Sequence, residues 1–216
     1  TRESFLGRES ELARLESWWD EPDAQPINLY GRRRVGKSWL FRRFAHGKPA
    51  VILVAERTTA ALQRAKLADE LEPFLGVRPD IRDIGDLFKI LYRLGSSERI
   101  LIVVDEFPYL LGSNSGEAHE NLTSIQAALE QTRDDSRSKL IICGSIVTQM
   151  EELQSLKSPL HGRFDRFVLQ PMEFRDARLF TPTLDVTEQF TRYTISGGMP
   201  RYLRAFQNAD LVEALA

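Results

Sequence analysis

The stretch NLYGRRRVGKSWLFRRF, residues 28–44, carries the pattern of a phosphate-binding loop. The frame G-x-x-x-x-G-K-S is met by Gly31, Gly36, Lys37 and Ser38, between an apolar run and a helix-forming segment. The glycines allow a tight backbone turn with inward N–H groups, and the start of a helix adds its positive end. We therefore expect Lys37 to reach the β- and γ-phosphates of a nucleotide and the Ser38 hydroxyl to bind Mg²⁺.

Three consecutive arginines, Arg32, Arg33 and Arg34, crowd the middle of this loop. Because backbone N–H groups hold the phosphates, the intervening side chains are free to lean away, and we expect the arginines to face solvent or a partner. Direct contact with phosphates and contact with nucleic acid remain alternatives. A net charge of -2 and a pI near 6.0 give the chain no bulk attraction to nucleic acid.

The segment ILIVVDEFPYL, residues 100–110, has the form of an apolar strand that ends in two acids. A carboxylate such as Asp105 at the end of a strand can support the Mg²⁺ that Ser38 also binds. Glu106 can orient and partly deprotonate an attacking water, whereas the alternative is that both acids merely cap the strand. No N-K-x-D motif is present to read guanine, so the pattern favours adenine.

The elements that position these residues follow from alternating patterns along the chain. Short apolar, often β-branched runs predict five strands of a parallel sheet, at 27–31, 50–55, 99–106, 139–145 and 166–171. Apolar stripes predict helices between them, one through Leu67, Leu71 and Phe74, another through Leu122, Ile125 and Leu129. Small polar residues predict loops at 112–120 and 155–165. The fold class is therefore α/β, a parallel sheet flanked by helices.

Composition places the chain among ordinary globular proteins. Its 216 residues are 42% hydrophobic and 28% charged, and no apolar run is long enough to cross a bilayer. The single cysteine, Cys143, lies in the apolar run LIICGS, which indicates a buried thiol. The opening TRESFLGRES has no initiator Met and no signal-peptide pattern, so we interpret the chain as an excised or processed piece in a cytoplasmic setting.

Five ordered motifs together resemble the archaeal-type ATPase family of the STAND and AAA+-like branch of P-loop NTPases. They are YGRRRVGKSWL, LIVVDEFPYL, LIICGS, PLHGRFD and GGMPRYL, and the resemblance runs from Phe5 to about Phe206. It implies binding and hydrolysis of ATP with Mg²⁺, with the fourth strand inserted beside the P-loop strand. Arginines within the P-loop are common in that family.

The resemblance also implies roles for residues outside the loop. FLGRESEL is similar to an N-terminal segment that packs against the base, which implicates Leu6, Gly7 and Arg8. Ser145 takes the place of a polar sensor facing the γ-phosphate, and Pro200 takes the place of a lid proline lying against adenine. The alternatives are a surface arginine capping a helix, a strand-ending turn and plain helix punctuation, respectively.

Arg163, in PLHGRFD, matches a family arginine that can pair with the γ-phosphate in cis or across a subunit contact, the alternative being a surface loop arginine. His161 is expected to be solvated. Trp18, Trp19 and Trp39 are more typical of packing groups than of base-stacking platforms.

The candidate catalytic residues are Lys37, Asp105, Glu106, Ser145 and Arg163, with Ser38 and Asp105 for the metal. The candidate nucleotide-binding residues are Leu6, Gly7, Arg8, Gly31, Arg32, Arg33, Arg34, Val35, Gly36, Lys37, Ser38, Trp39 and Pro200.

Together these patterns predict an ATPase core over residues 1–172 and a helical lid over 173–216. Family members continue into a winged-helix segment and a further C-terminal domain, so DNA contact is expected only through such a domain. Self-association and contact with that domain are the other expected partnerships, with no membrane contact. A slow nucleotide-dependent switch is the main alternative function, and a P-loop kinase is a weaker one because no acceptor-binding segment is evident.

Overall fold

The computed structural model describes residues 6–207 and contains one five-stranded sheet with all strands parallel. The strands are β1 Ile27–Tyr30, β2 Ala50–Val54, β3 Ile100–Asp105, β4 Ser138–Gly144 and β5 Asp165–Val168. Their order across the sheet is β2-β3-β4-β1-β5. The predicted α/β class and the predicted insertion of the fourth strand beside the first are both confirmed.

Helices connect the strands and cover both faces of the sheet. They are α1 Glu9–Asp20, α2 Lys37–Ala45, α3 Ala60–Leu75, α4 Ile84–Arg93, α5 Ser115–Thr132, α6 Val147–Glu152, α7 Phe174–Ala177, α8 Val186–Ser196 and α9 Pro200–Ala205. Two short 3₁₀ helices span Phe107–Leu110 and Arg178–Phe180. Side chains cap the first turns of α3, α4, α5 and α8, namely Thr59, Asp83, Asn114 and Asp185. Each cap satisfies helix N–H groups that have no partner within the helix.

The core is split by the sheet into two clusters, because successive side chains of a strand point to opposite faces. Val104 and Ile142 belong to the cluster beneath α3, α4 and α5. Val103 and Cys143 belong to the cluster beneath α1 and α2. The buried position predicted for Cys143 is confirmed, and burial raises the pKa of its thiol well above the ordinary value of 9.0.

Three local predictions are wrong. The segment 112–120 is a loop only as far as Asn114, because the Asn114 side chain accepts from the N–H of Glu117 and starts α5. Phe74, expected on a buried stripe, is half exposed in the last turn of α3, where Leu75 instead packs against the core and continues the stripe from Leu71 at the i+4 spacing. The predicted fifth strand also ends early, at Val168.

A third, smaller cluster joins the C-terminal helices to the rest of the chain. Met172, Ala177, Phe180 and Leu203 form it, with Leu6, Trp39 and Tyr193 packed against it. The division into a core and a lid at 172–173 stays a prediction, and its last residues, 208–216, lie outside the described residues. No helix among residues 6–207 is long and apolar enough to span a membrane.

Candidate functional site

The loop between β1 and α2 is shaped by two glycines and by the end of β5. A Cβ on Gly31 would lie 2.3 Å from the carbonyl oxygen of Leu169, so only glycine fits where the two chain segments approach. Gly36 has φ 100°, in the left-handed region that favours glycine, and it is the N-cap of α2. The loop therefore turns directly from the carboxyl end of a central strand into the start of a helix, as the motif requires.

Lys37 lies inside this loop and is only 5% exposed. Its Nζ donates to the carbonyl oxygen of Gly31 at 2.8 Å and to that of Arg32 at 3.2 Å. Desolvation lowers the pKa of Lys37, while the negative charges of Asp105 and Glu106 oppose the shift. A cation held in a desolvated loop gains most from an anion that replaces the lost water.

Ser38 and Asp105 meet across the end of the sheet. The Ser38 hydroxyl, one residue into α2, donates to Oδ2 of Asp105 at 3.1 Å, and Asp105 ends β3. Oδ1 of Asp105 accepts from the N–H of Glu106 at 3.0 Å, which fixes the carboxylate. Hydroxyl and carboxylate oxygens are the ligands that Mg²⁺ prefers, so this pair fits the predicted metal site.

Glu106 takes a different partner from its neighbour. Its φ of 51° places a non-glycine residue in the left-handed region, which costs of order 1–3 kcal/mol and turns its side chain away from that of Asp105. Oε1 of Glu106 accepts from the Ser145 hydroxyl at 3.0 Å. Because β4 lies between β3 and β1, the residue after β4 arrives beside the P-loop. The strand order thus brings together two residues that are 39 apart in sequence.

Arg8 connects the P-loop to the segment that follows β5. It is buried, and its Nη2 donates to the carbonyl oxygens of Val35 at 3.1 Å and of Gln170 at 2.7 Å. Nη1 forms an ion pair with Glu11 at 2.5 Å. Arg8 is the N-cap residue of α1 but not the surface arginine of the alternative interpretation. Its bonds join the P-loop to the segment after β5, and a role for Leu6, Gly7 or Arg8 at adenine stays a prediction.

The C-terminal helix α9 covers the opening of the loop. Pro200 lies close to it, since a Cβ on Gly36 would be 3.5 Å from Cγ of Pro200. The guanidinium of Arg34 donates to the Tyr202 hydroxyl and lies over its ring, 5.3 Å from the centroid. Arg34 has a φ of 68°, which places a non-glycine residue in the left-handed region at this contact.

A cleft of ≈ 810 Å³ lies between the loop and α9. It is lined by Arg33, Arg34, Gly36, Lys37, Ser38, Trp39, Arg42, Glu106, Ser145, Pro200, Arg201, Arg204 and Ala205. Six of these residues are cations and one is an acid, a balance suited to a polyphosphate. All three loop arginines are exposed, as expected, but they differ: Arg33 and Arg34 line the cleft and Arg32 does not. Trp39 also packs on Phe180, with ring centroids 6.2 Å apart.

Sequence reasoning missed three arginines of the cleft. Arg42 follows Ser38 at the i+4 spacing on α2, so helical periodicity alone could have placed both on one face. Arg201 and Arg204 lie on α9 directly after Pro200, and their position depends on how that helix folds back. No local pattern predicts that fold-back.

Arg163 is not brought to the cleft. It precedes β5 by two residues. Because Asp165 pairs with Ile27, the first residue of β1, Arg163 lies at the end of the sheet where the parallel strands begin. The P-loop lies at the opposite edge, and the guanidinium of Arg163 pairs with Glu130 near the end of α5. The predicted contact with the γ-phosphate in cis is therefore wrong, and only a contact from a second copy stays a prediction.

Solved structures with this architecture include two archaeal proteins. A Walker-type ATPase of Pyrococcus abyssi is 23% identical, with a TM-score of 0.72 over 99% of this chain and 71% of that one. The ORC1 protein of Aeropyrum pernix, solved in complex with DNA, is 18% identical, with a TM-score of 0.59 over 94% of this chain and 58% of that one. At such identities the likeness shows the fold alone.

Sequence relatives come from Methanocaldococcus jannaschii. An uncharacterised protein is 28% identical over 92% of this chain, which spans only 43% of that relative's length. An uncharacterised ATP-binding protein is 50% identical over 20% of this chain and 75% of its own. A family model for an ATPase domain predominantly from Archaea matches residues 5–206. With the P-loop, the two acids and the sheet order in place, the chain belongs to this family of ATPase domains.

Proposed function

We propose that the cleft binds ATP with Mg²⁺ and hydrolyses it to ADP and phosphate. The observation that carries the proposal is the separation of the two adjacent acids. Asp105 accepts from Ser38 of the P-loop helix, and Glu106 accepts from Ser145 beyond β4. This separation supports a role for Asp105 at a metal and for Glu106 at a water, the two functions that hydrolysis needs.

The loop and Lys37 would bind the phosphates. Backbone N–H groups around Gly36 and the start of α2 supply hydrogen-bond donors, and the Lys37 ammonium supplies charge where water is excluded. Ser38 and Asp105 would hold Mg²⁺, which when bound supplies positive charge to the β- and γ-phosphate oxygens. These groups orient the terminal phosphate with little movement of the protein.

Glu106 would act as the base. A water whose proton is accepted by the Glu106 carboxylate attacks the γ-phosphorus, forming one P–O bond while the bond to the bridging β–γ oxygen breaks. The electron pair of that bond stays with ADP. Ser145, which already donates to Glu106 at 3.0 Å, keeps the carboxylate oriented toward the cleft.

Helix α9 would respond to the nucleotide. The contact between Arg34 and Tyr202 joins the phosphate-binding loop to α9, and Pro200 lies against the loop itself. A nucleotide that fills the cleft between them changes the free energy of this contact, so occupancy and lid position are linked. We propose that adenine lies between Pro200 and the Arg8 segment.

We propose that the process driven by ATP turnover depends on the whole protein. The chain spans 43% of the length of its Methanocaldococcus jannaschii relative, and its net charge of -2 provides no general attraction to nucleic acid. We therefore assign any DNA-related role to sequence beyond this ATPase domain.

Phosphate release under saturating Mg·ATP tests the proposal, with Glu106→Gln as the diagnostic variant. The amide keeps the shape and loses the basicity, so we expect turnover to fall at least about 100-fold while ATP affinity stays within about twofold. Glu130→Gln, which removes an acid at the far edge of the sheet, is the matched control. Equal turnover in wild type and Glu106→Gln would remove the proposed base. Tight nucleotide binding with no turnover in wild type would favour the switch over the hydrolase.

A further inference from the structure

Arg8 is a buried arginine that does not line the nucleotide cleft. Its side chain is 5% exposed, whereas that of its partner Glu11 is 22% exposed, so the cation is the inner member of this ion pair. Arg8 also has a φ of 69°, in the left-handed region that is unfavourable for a non-glycine residue. Such a conformation persists only where the surrounding contacts favour it, so the contacts of Arg8 indicate its role.

One of these contacts is with the backbone of the P-loop. Nη2 of Arg8 donates to the carbonyl oxygen of Val35 at 3.1 Å, and this carbonyl belongs to the peptide bond that joins Val35 to Gly36. The peptide bonds of residues 6–207 are trans, so the C=O and N–H of this peptide point in opposite directions. The N–H of Gly36 therefore points away from Arg8. Because Gly36 lines the cleft and Arg8 does not, this direction is toward the cleft.

The charge of Arg8 acts on the same peptide bond. A cation at the carbonyl oxygen polarises the peptide and strengthens its N–H as a hydrogen-bond donor. Burial of Arg8 reduces the screening of this effect by water. Gly36 is the N-cap of α2, and the first N–H groups of a helix have no partner within the helix. A phosphate in the cleft is the kind of acceptor that gains from such a donor.

A second bond fixes the guanidinium against another segment. Nη2 of Arg8 also donates to the carbonyl oxygen of Gln170 at 2.7 Å, just after β5. Two residues further on, the N–H of Met172 donates to the carbonyl oxygen of Gly198 at 2.8 Å, where the C-terminal helices α8 and α9 meet. Both hydrogens of Nη2 are thus used by backbone carbonyls, and Nη1 pairs with Glu11. The guanidinium is held in one orientation, with the carbonyl of Val35 as its contact with the loop.

We propose that Arg8 is a positioning residue for the phosphates, which acts through the peptide bond between Val35 and Gly36. It orients the N–H of Gly36 toward the cleft and strengthens it as a donor. This inference rests on the proposed function, because it requires that phosphate binds in the loop. It differs from the role at adenine that the family resemblance implies for Arg8. A residue that acts through the loop affects every ligand with a phosphate chain, whereas a residue at the base affects only ligands that carry a base.

Calorimetric titration with Mg·ATP and with Mg·tripolyphosphate, which has no base, tests this role. Arg8→Gln removes the charge, although its amide can still donate to one carbonyl. We expect it to weaken the binding of both ligands by the same factor, at least about tenfold. Arg8→Lys keeps the charge and loses the forked geometry, so it should bind both about two- to threefold more weakly than wild type.

Arg14→Gln is the matched control. Arg14 also joins α1 to a backbone carbonyl, that of Arg166 at 2.7 Å, but this carbonyl belongs to β5 rather than to the loop. We expect this variant to bind both ligands within about twofold of wild type. Circular dichroism at the titration temperature shows whether each variant is folded. If Arg8→Gln does not fold, Arg8→Lys replaces it, and its smaller loss must be equal for the two ligands.

Steady-state phosphate release separates positioning from a role in the chemical step. A contact made equally in the ground state and in the transition state changes KM and not kcat. We therefore expect Arg8→Gln to raise KM at least about tenfold and to keep kcat within about threefold of wild type. A merely structural role would lower the amount of active protein, and hence the apparent kcat, without this rise in KM.

Four results would overturn the inference. Wild-type affinity of Arg8→Gln for both ligands removes the role of Arg8. A loss for Mg·ATP but not for Mg·tripolyphosphate places Arg8 at the base instead. Binding by Arg8→Lys as weak as that by Arg8→Gln removes the effect of the charge. If wild type binds neither ligand, the proposed nucleotide site fails and the role of Arg8 fails with it, whereas in the other three results the nucleotide site stands.

Discussion

Two buried lysines lie at opposite ends of the parallel strands, and their surroundings differ. Lys37 lies at the edge where the strands end, inside the P-loop. Lys139 lies near the start of β4, at the other edge. Both are at most 5% exposed, and desolvation lowers the pKa of both. Burial and a shifted pKa therefore do not by themselves distinguish a binding residue from a structural one.

The difference lies in what each ammonium meets. Lys139 donates to the carbonyl oxygens of Glu21 and Pro22 and lies over the Trp18 ring, 5.5 Å from its centroid. These partners tie the segment after α1 to the sheet, and Lys139 also lines a cavity of ≈ 480 Å³. Lys37 bonds only to carbonyls of the loop that surrounds it, beside two carboxylates and an open cleft. The P-loop backbone and the two carboxylates around Lys37, rather than burial of the charge or an adjoining cavity, distinguish the candidate site.

Lys37→Ala gives the largest expected effect on binding. Loss of a charge-assisted phosphate contact should weaken Mg·ATP affinity at least about tenfold in calorimetric titration. Lys139→Met at the other edge should leave the affinity within about twofold. Weakened ATP binding in the Lys139 variant, or unchanged binding in the Lys37 variant, would contradict the distinction between the two edges.

Lys139→Met should act on stability instead. Leaving the carbonyls of Glu21 and Pro22 without their donor should cost about 1–3 kcal/mol of the free energy of unfolding, measured by urea denaturation. Lys37→Ala should cost less in the same measurement, because the bonds of Lys37 stay within its own loop whereas those of Lys139 join the sheet to the segment after α1. The reverse order of the two losses would show that Lys37 is the structural lysine.

Arg34→Gln tests whether the contact between the P-loop and α9 contributes to ATP binding. Breaking the contact with Tyr202 releases α9 from the loop, and we expect a three- to tenfold loss of ATP affinity. Tyr202→Phe should reproduce part of the loss. Arg32→Gln, a neighbouring exposed arginine that does not line the cleft, should have no effect. Equal losses in the Arg32 and Arg34 variants would mean that general loop charge matters rather than the link to α9.

Arg163→Gln should have almost no effect on dilute protein. Its partner Glu130 lies at the edge remote from the cleft, so turnover per subunit should stay within about twofold at low concentration. If turnover rises with protein concentration and the variant abolishes that rise, Arg163 acts in trans on a second copy. A large loss at low concentration would contradict the position found for this residue.

The smallest expected effect is on the pH dependence of stability. Since the pKa of Lys139 is lowered on folding, the unfolded chain holds the proton more tightly than the native state below the ordinary value of 10.5. The contribution of Lys139 to the free energy of unfolding therefore rises with pH in the alkaline range up to that value. Urea denaturation at several alkaline pH values should show a shallower rise in Lys139→Met than in wild type. A steeper rise in the variant would reverse the assigned direction.

Much of the site was predictable because its parts are local. The P-loop frame needs eight consecutive residues, and Asp105 and Glu106 come at the end of an unbroken apolar strand. Five apolar runs were enough to predict the sheet, since strands buried on both faces must be apolar throughout. The starts of helices that have a polar cap were harder to predict from the sequence, as the wrong assignment of the first residues of α5 to a loop shows.

The sequence by itself determined which chemistry we propose for the chain, since the side chains proposed to bind phosphate, metal and water stand in short motifs whose backbone geometry is local. Only the tertiary structure decided where the remaining charges lie. Strand order brought Ser145 to Glu106, and the start of β5 carried Arg163 to the far edge. The fold-back of α9 added Arg201 and Arg204 to the cleft. Such contacts join residues far apart in the chain, and the packing of the whole core determines which of them form.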